Sequence, residues 1–128
     1  MTESTYRTLV AWQRAIDLAI QVHTISKTFP REERFSLTAQ IRRCATSVPS
    51  NIAEGRGRGS ARDYRHFLRH FLHQARGSLY EMDTQITLAR RLGYCSDADI
   101  ANVQRAISET ARPLQGLIAA LDRKIGGP

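Results

Sequence analysis

The chain has 128 residues, 41% of them apolar, which is enough for one packed core and leaves little for a second domain. Nineteen basic residues against twelve acidic ones give a net charge of +7, and this balance raises the local concentration of polyanions. There is no run of 18 apolar residues, no signal-peptide pattern in "MTESTYRTLVAWQRA", and only two cysteines, Cys44 and Cys95, in unlike settings. These features argue against a membrane span, an exported chain, a disulfide framework and a zinc site, and lead to the expectation of a cytoplasmic protein.

Helical periodicity dominates, and no segment shows strand alternation. Over residues 5–28, Leu9, Trp12, Ile16, Ala19 and His23 recur at steps of three and four, with a second stripe of Leu18, Val22, Ile25 and Phe29 beside it. Two stripes exceed what a surface helix needs, so one is expected to face the core and the other a partner subunit. Pro30 ends this element, and "PREER" makes the turn.

A second helix over 35–55 carries the apolar stripe Leu37, Ile41, Cys44, Val48 and Ile52. Next to it runs a polar stripe, Gln40, Arg43, Ser47, Asn51 and Glu54, whose members are expected to pair with one another or across an interface. Glu54 is assigned to Arg43 three turns away, or to an arginine of another subunit. Pro49 should kink this helix or cost it a hydrogen bond, and Gly55, Gly57 and Gly59 should stop it.

The third helix is predicted over 60–92 and as the longest, about 33 residues and roughly 50 Å. Ser60 with Asp63 approximates a capping box, and the stripe runs Tyr64, Leu68, Phe71, Ala75, Leu79, Met82, Ile86 and Ala89 before Gly93 ends it. Ser96 with Asp99 opens a fourth helix over 97–124, striped by Ile100, Val103, Ile107, Thr110, Leu114, Leu117 and Leu121, with Pro113 inside it. Four helices with short connections predict an all-α fold: one antiparallel up-down-up-down four-helix bundle with left-handed crossings.

The basic excess is concentrated along the chain. Residues 31–76 hold ten arginines and four acids, a net +6, while the remainder is near neutral at +1. Arginine suits phosphate, because its planar fork of donors is weakly hydrated. The stretch "EGRGRGSARDYR" lacks the spacing and lysine of a phosphate-binding P-loop, and a helix rather than a strand precedes it. It still supplies backbone N–H groups at a helix start, with Arg56, Arg58, Arg62 and Arg65 nearby.

His66, His70 and His73 share one helix face at spacing i, i+4, i+7, but no third-party ligand completes a metal set, so no metal or other cofactor is expected. The Glu-x-x-His motif of di-iron bundles is absent. Ser47, Ser50, Ser78 and Cys44 have no His-plus-acid constellation for nucleophilic catalysis, which leads to the expectation of a non-enzymatic protein.

The segments "AWQRAIDLAIQVHTISKTFPREE", "LTAQIRRCATSVPSNIAEG", "ARGSLYEMDTQITLARRLGY" and "LQGLIAALDRKI" together resemble the four-helix-bundle family encoded in intervening sequences of bacterial 23S ribosomal RNA genes. The resemblance covers nearly the whole chain and is most specific from Ser47 to Gly55. It places the family motif on Gln40, Arg42, Arg43, Ser47, Pro49, Ser50, Asn51, Ala53, Glu54 and Gly55, then on Gly77, Ser78 and Glu81. It implies a ring, a homopentamer with a basic surface, and more distantly it is similar to the accessory subunit of diversity-generating retroelements, which binds nucleic acid. The histidines of "DYRHFLRHFLHQ" lie outside that motif.

Together these readings lead to the expectation of an oligomer that binds nucleic acid through Arg42, Arg56, Arg58, Arg62, Arg65 and Arg69. Gln40, Arg43, Ser47, Asn51 and Glu54 are expected in structural or interface roles. The resemblance, not the residues, favours RNA over DNA. The competing expectation is a protein-interaction scaffold or accessory subunit that meets an acidic partner.

Overall fold

The structure, a computed structural model, describes residues 5–57 and 64–126. Arg58, Gly59, Ser60, Arg62 and Asp63, on which part of the capping and phosphate-binding expectation falls, lie outside them. The described residues form four α-helices and no strand: α1 (Val10–Ile25), α2 (Leu37–Gly57), α3 (Tyr64–Arg91) and α4 (Asp97–Gly126). Each helix packs on its neighbours in chain order, and α1 packs on α4.

The first helix starts later than its periodicity suggests. Tyr6–Thr8 form a separate 3-10 turn, because the Thr5 hydroxyl accepts from the Arg7 N–H and Leu9 is extended at φ −75°, ψ 128°. Of the two stripes, Leu18, Val22, Ile25 and Phe29 are buried together with Ala11 and Ala15. Leu9, Trp12, Ile16 and Ala19 are half-buried and His23 is exposed, so the first stripe forms the rim of the core. Trp12 rests on Tyr6 with ring centroids 5.3 Å apart.

The whole apolar stripe of α2 is buried, as is Pro49. The helix continues through Pro49, although that residue has no N–H to offer the Ala45 carbonyl. It also continues through Gly55 and Gly57, so the glycines do not stop it at 55. Gly55 lies buried where α2 and α3 meet. A Cβ there would stand 2.9 Å from the Phe71 Cβ and 3.4 Å from the Leu68 Cα, and only glycine permits that approach.

Ser96 caps α4 as its sequence suggests, its Oγ accepting from the Asp99 N–H at 3.1 Å. Gly93, at φ +81°, ends α3: its N–H reaches the Arg90 carbonyl and the Tyr94 N–H reaches that of Ala89, the two bonds of a Schellman turn. In α4 Ile118 takes the buried place expected for Leu117, which is only partly covered. Among the described residues α3 covers 28 and α4 30.

Polar pairs tie α3 to α4 in a regular series. Arg69 meets Asp122, Arg76 meets Gln115, Gln104 donates to Asp83, and Arg90 meets Asp97. The partner number falls along α4 as the α3 number rises.

Candidate nucleic-acid interface

The arginine-rich segment divides between two regions of the molecule. Arg31 and Arg34 lie in the connection before α2, and Arg56 lies in its last turn, a rise of roughly 28 Å away. The run of positive charge in the sequence is therefore not one patch in space.

Arg42, expected at the phosphate-binding surface, is engaged within the chain. Its Nε donates to the Ser26 Oγ at 2.8 Å and its Nη2 points at the His23 carbonyl at 3.4 Å, so this guanidinium ties α2 to the end of α1. A cation there complements the carbonyls at a helix C-terminus. Arg69 donates through Nε to Asp122 at 2.7 Å, but both side chains remain nearly half exposed, at 47% and 42%. Arg65 is exposed on the first turns of α3, and Arg56 is partly covered and has a partner within the chain.

The polar stripe of α2 forms a small network against α3. Ser47 Oγ and Ser78 Oγ are 2.6 Å apart, Ser47 Oγ also donates to the Cys44 carbonyl at 2.7 Å, and Asn51 Nδ2 donates to the Ser47 carbonyl at 2.8 Å. Cys44 Sγ donates to the Ser78 carbonyl at 3.0 Å. Burial, with Glu81 beside it, pushes the Cys44 thiol up to about 12, which removes it as a nucleophile near neutral pH. Gln40, Arg43, Cys44, Ser47 and Glu81 line a hollow of about 230 Å³. Arg43 and Glu54 stand eleven residues apart on a continuous helix, about 16 Å of rise, so they do not pair within one chain.

A hollow of about 590 Å³ opens over Gly77 on α3. His66, Arg69, His70, His73, Gln74, Ser78 and Glu81 surround it, so the three histidines share one surface, as their spacing suggests. Among the described residues no three His, Cys, Asp or Glu side chains converge as a metal-ligand set. Among the described residues Glu81 is the one carboxylate in this lining, and it also accepts from Gln85 Nε2 at 3.3 Å.

His73 shows how this face is wired. Arg76 Nη2 lies 2.8 Å from His73 Nδ1, and because arginine only donates, Nδ1 accepts and the ring proton sits on Nε2. Burial, and after it the charges of Arg76 and Arg69, hold the ring below the usual imidazole range, in agreement with that neutral tautomer. Among the described residues its buried Nε2 has no hydrogen-bond partner. The sequence showed the histidine spacing but had no signal for the burial of His73 or for Arg76 at its Nδ1.

A protein-family model described as 23S rRNA-intervening sequence protein matches residues 7–116. No curated protein matches the chain. No helix among the described residues is long and apolar enough to cross a membrane.

Proposed function

Because the chain belongs to the 23S rRNA-intervening sequence protein family, we propose that it is a non-catalytic, oligomeric nucleic-acid-binding protein that grips phosphates through the outer face of α3. The observation that carries this reading is the hollow over Gly77, where imidazole, guanidinium, amide and hydroxyl donors surround an open space with a single carboxylate among the described residues. Arg65 and Arg56 extend that face toward the end of the bundle where the glycine-rich connection lies. Arginine and neutral histidine both donate to phosphate oxygens, and the net +7 of the chain adds long-range attraction.

An antiparallel up-down-up-down bundle with left-handed crossings is the protomer in this reading, supported by the descending order of α4 partners along α3. Assembly into a homopentameric ring follows from the resemblance set out above. Tyr80 and Leu88 on α3 and Leu92 just after it, each about half exposed or more, support a surface that other copies cover. A ring multiplies each protomer's phosphate contacts, which raises affinity without new chemistry. RNA is the preferred ligand by the same family association.

The test is a fluorescence-anisotropy titration of structured RNA, single-stranded RNA and duplex DNA across a salt series. Binding with a steep salt slope is expected, and replacing Arg56, Arg58, Arg62 and Arg65 by serine should lower the slope by roughly 3 if all four meet phosphates. Absence of binding at low salt overturns the reading. The exposed apolar residues then favour the second one, a scaffold or accessory subunit, and a nuclease-resistant co-purifying protein is its expected sign.

A further inference from the structure

The end of the bundle away from the glycine-rich connection displays an aromatic ring that the core does not use. Phe35 is 83% exposed, whereas Phe29, six residues earlier in the same connection, is 8% exposed and packs against Tyr94 with centroids 5.7 Å apart. The ring is not on a loose tether. Pro30 begins a 3-10 turn over Arg31–Glu33, and N–H groups of Glu33, Arg34 and Ser36 bond back to the carbonyls of Pro30, Arg31 and Glu33. Glu33 then accepts from the Tyr94 hydroxyl at 2.7 Å and from the Leu37 N–H at 3.1 Å, which fastens the turn to the α3–α4 connection.

One face of the Phe35 ring carries the Arg34 guanidinium, 4.6 Å from its centroid. The immediate neighbours in sequence are Arg31, Glu32, Arg34 and Ser36, all exposed. Within Arg31–Ser36 the other exposed side chains are charged or polar, so Phe35 is the one apolar contact this turn offers. A planar ligand needs only the free ring face, and a cation behind the ring is the arrangement that unpaired bases meet on single-strand-binding surfaces.

We propose that Phe35 is a stacking platform for an unpaired nucleobase, backed by Arg34 and held in place by the Glu33–Tyr94 hydrogen bond. This inference rests on the nucleic-acid reading above and adds a second contact point, specific for single strands, at the other end of α2 from Arg56. Glu32 and Glu33 offset the charges of Arg31 and Arg34 there, so the contribution is one of stacking and carries little salt dependence.

The test compares wild type with Phe35→Ala and Phe35→Trp against a labelled 12-nucleotide oligouridylate and a fully paired RNA duplex, each over a salt series. Phe35→Ala should weaken oligouridylate binding at least about fivefold, leave its salt slope unchanged and leave duplex binding unchanged, while Phe35→Trp restores affinity. Wild-type affinity in Phe35→Ala overturns the platform and leaves the phosphate-gripping reading intact. A change in assembly size by light scattering, with no selective loss for the single strand, overturns it in favour of a subunit contact. If no nucleic acid binds at low salt, both readings fall together.

Discussion

Gly55 on α2 faces Phe71 on α3 so closely that a single added carbon would lie 2.9 Å from the phenylalanine Cβ. The Phe71 Cβ is fixed in place by its backbone, so no side-chain rotation relieves the clash. Replacing Gly55 by alanine should therefore push the two helices apart and destabilise the fold by about 1–3 kcal/mol, despite alanine's better helix propensity. Urea denaturation measures it, and an unchanged or raised midpoint would contradict the close approach.

Tyr94 and Glu33 should impose a pH profile on stability. The Tyr94 hydroxyl, then the Leu37 N–H, hold the Glu33 carboxyl below its ordinary value, so its stabilisation is present above the unfolded carboxylate range near 4.3 and is lost as pH falls through the lower folded value. The same bond, with burial, raises the Tyr94 phenol, whose contribution is full below about 10 and fades as pH rises through the folded value. Tyr94→Phe should flatten both limbs of a thermal-melting profile against pH. A variant profile parallel to wild type at both ends would remove this pair as the cause.

Asp122 restrains Arg69, and releasing it should be visible in binding. The pair is exposed enough that Asp122→Asn is expected to cost less than about 1 kcal/mol of stability. On the phosphate-gripping reading the same change frees a cation beside the hollow and steepens the salt slope by about 0.7–0.9. An affinity and slope equal to wild type would place Arg69 outside the contact surface.

The two thiols should differ in access. Cys44 is buried and its thiol is pushed up to about 12, whereas Cys95 is partly exposed and raised as well, first by burial and then by Asp99. Thiol titration with a coloured disulfide reagent near pH 8 should report Cys95 slowly and Cys44 only after unfolding. Two equally fast thiols in the native protein would contradict the packing of Cys44 against Ser78.

What the sequence made legible were the features whose chemistry is local. Ser96 and Gly93 could be read because a cap and a left-handed turn need only the few residues around them. The α2 core stripe could be read because burial follows the helical period. Gly55 could not, since composition does not separate a glycine that ends a helix from one that lets another helix approach. The fates of Arg42 and Arg69 were hidden for a related reason: Ser26 and Asp122 lie 16 and 53 residues away, and only the packing of helices brings them near. In α1 the apolar steps running through Leu9 masked the extended residue that separates the 3-10 turn from the helix.

One side chain joins connections that are far apart along the chain. Tyr94 accepts from Thr28 through its carbonyl at 2.9 Å and donates to Glu33 through its hydroxyl at 2.7 Å, so the α1–α2 and α3–α4 connections are fastened to the same residue. Loosening either one breaks bonds of the other, and the two should exchange their amide hydrogens as a single cooperative unit. Unzipping of the bundle would then have a direction, with this fastened end the last to part.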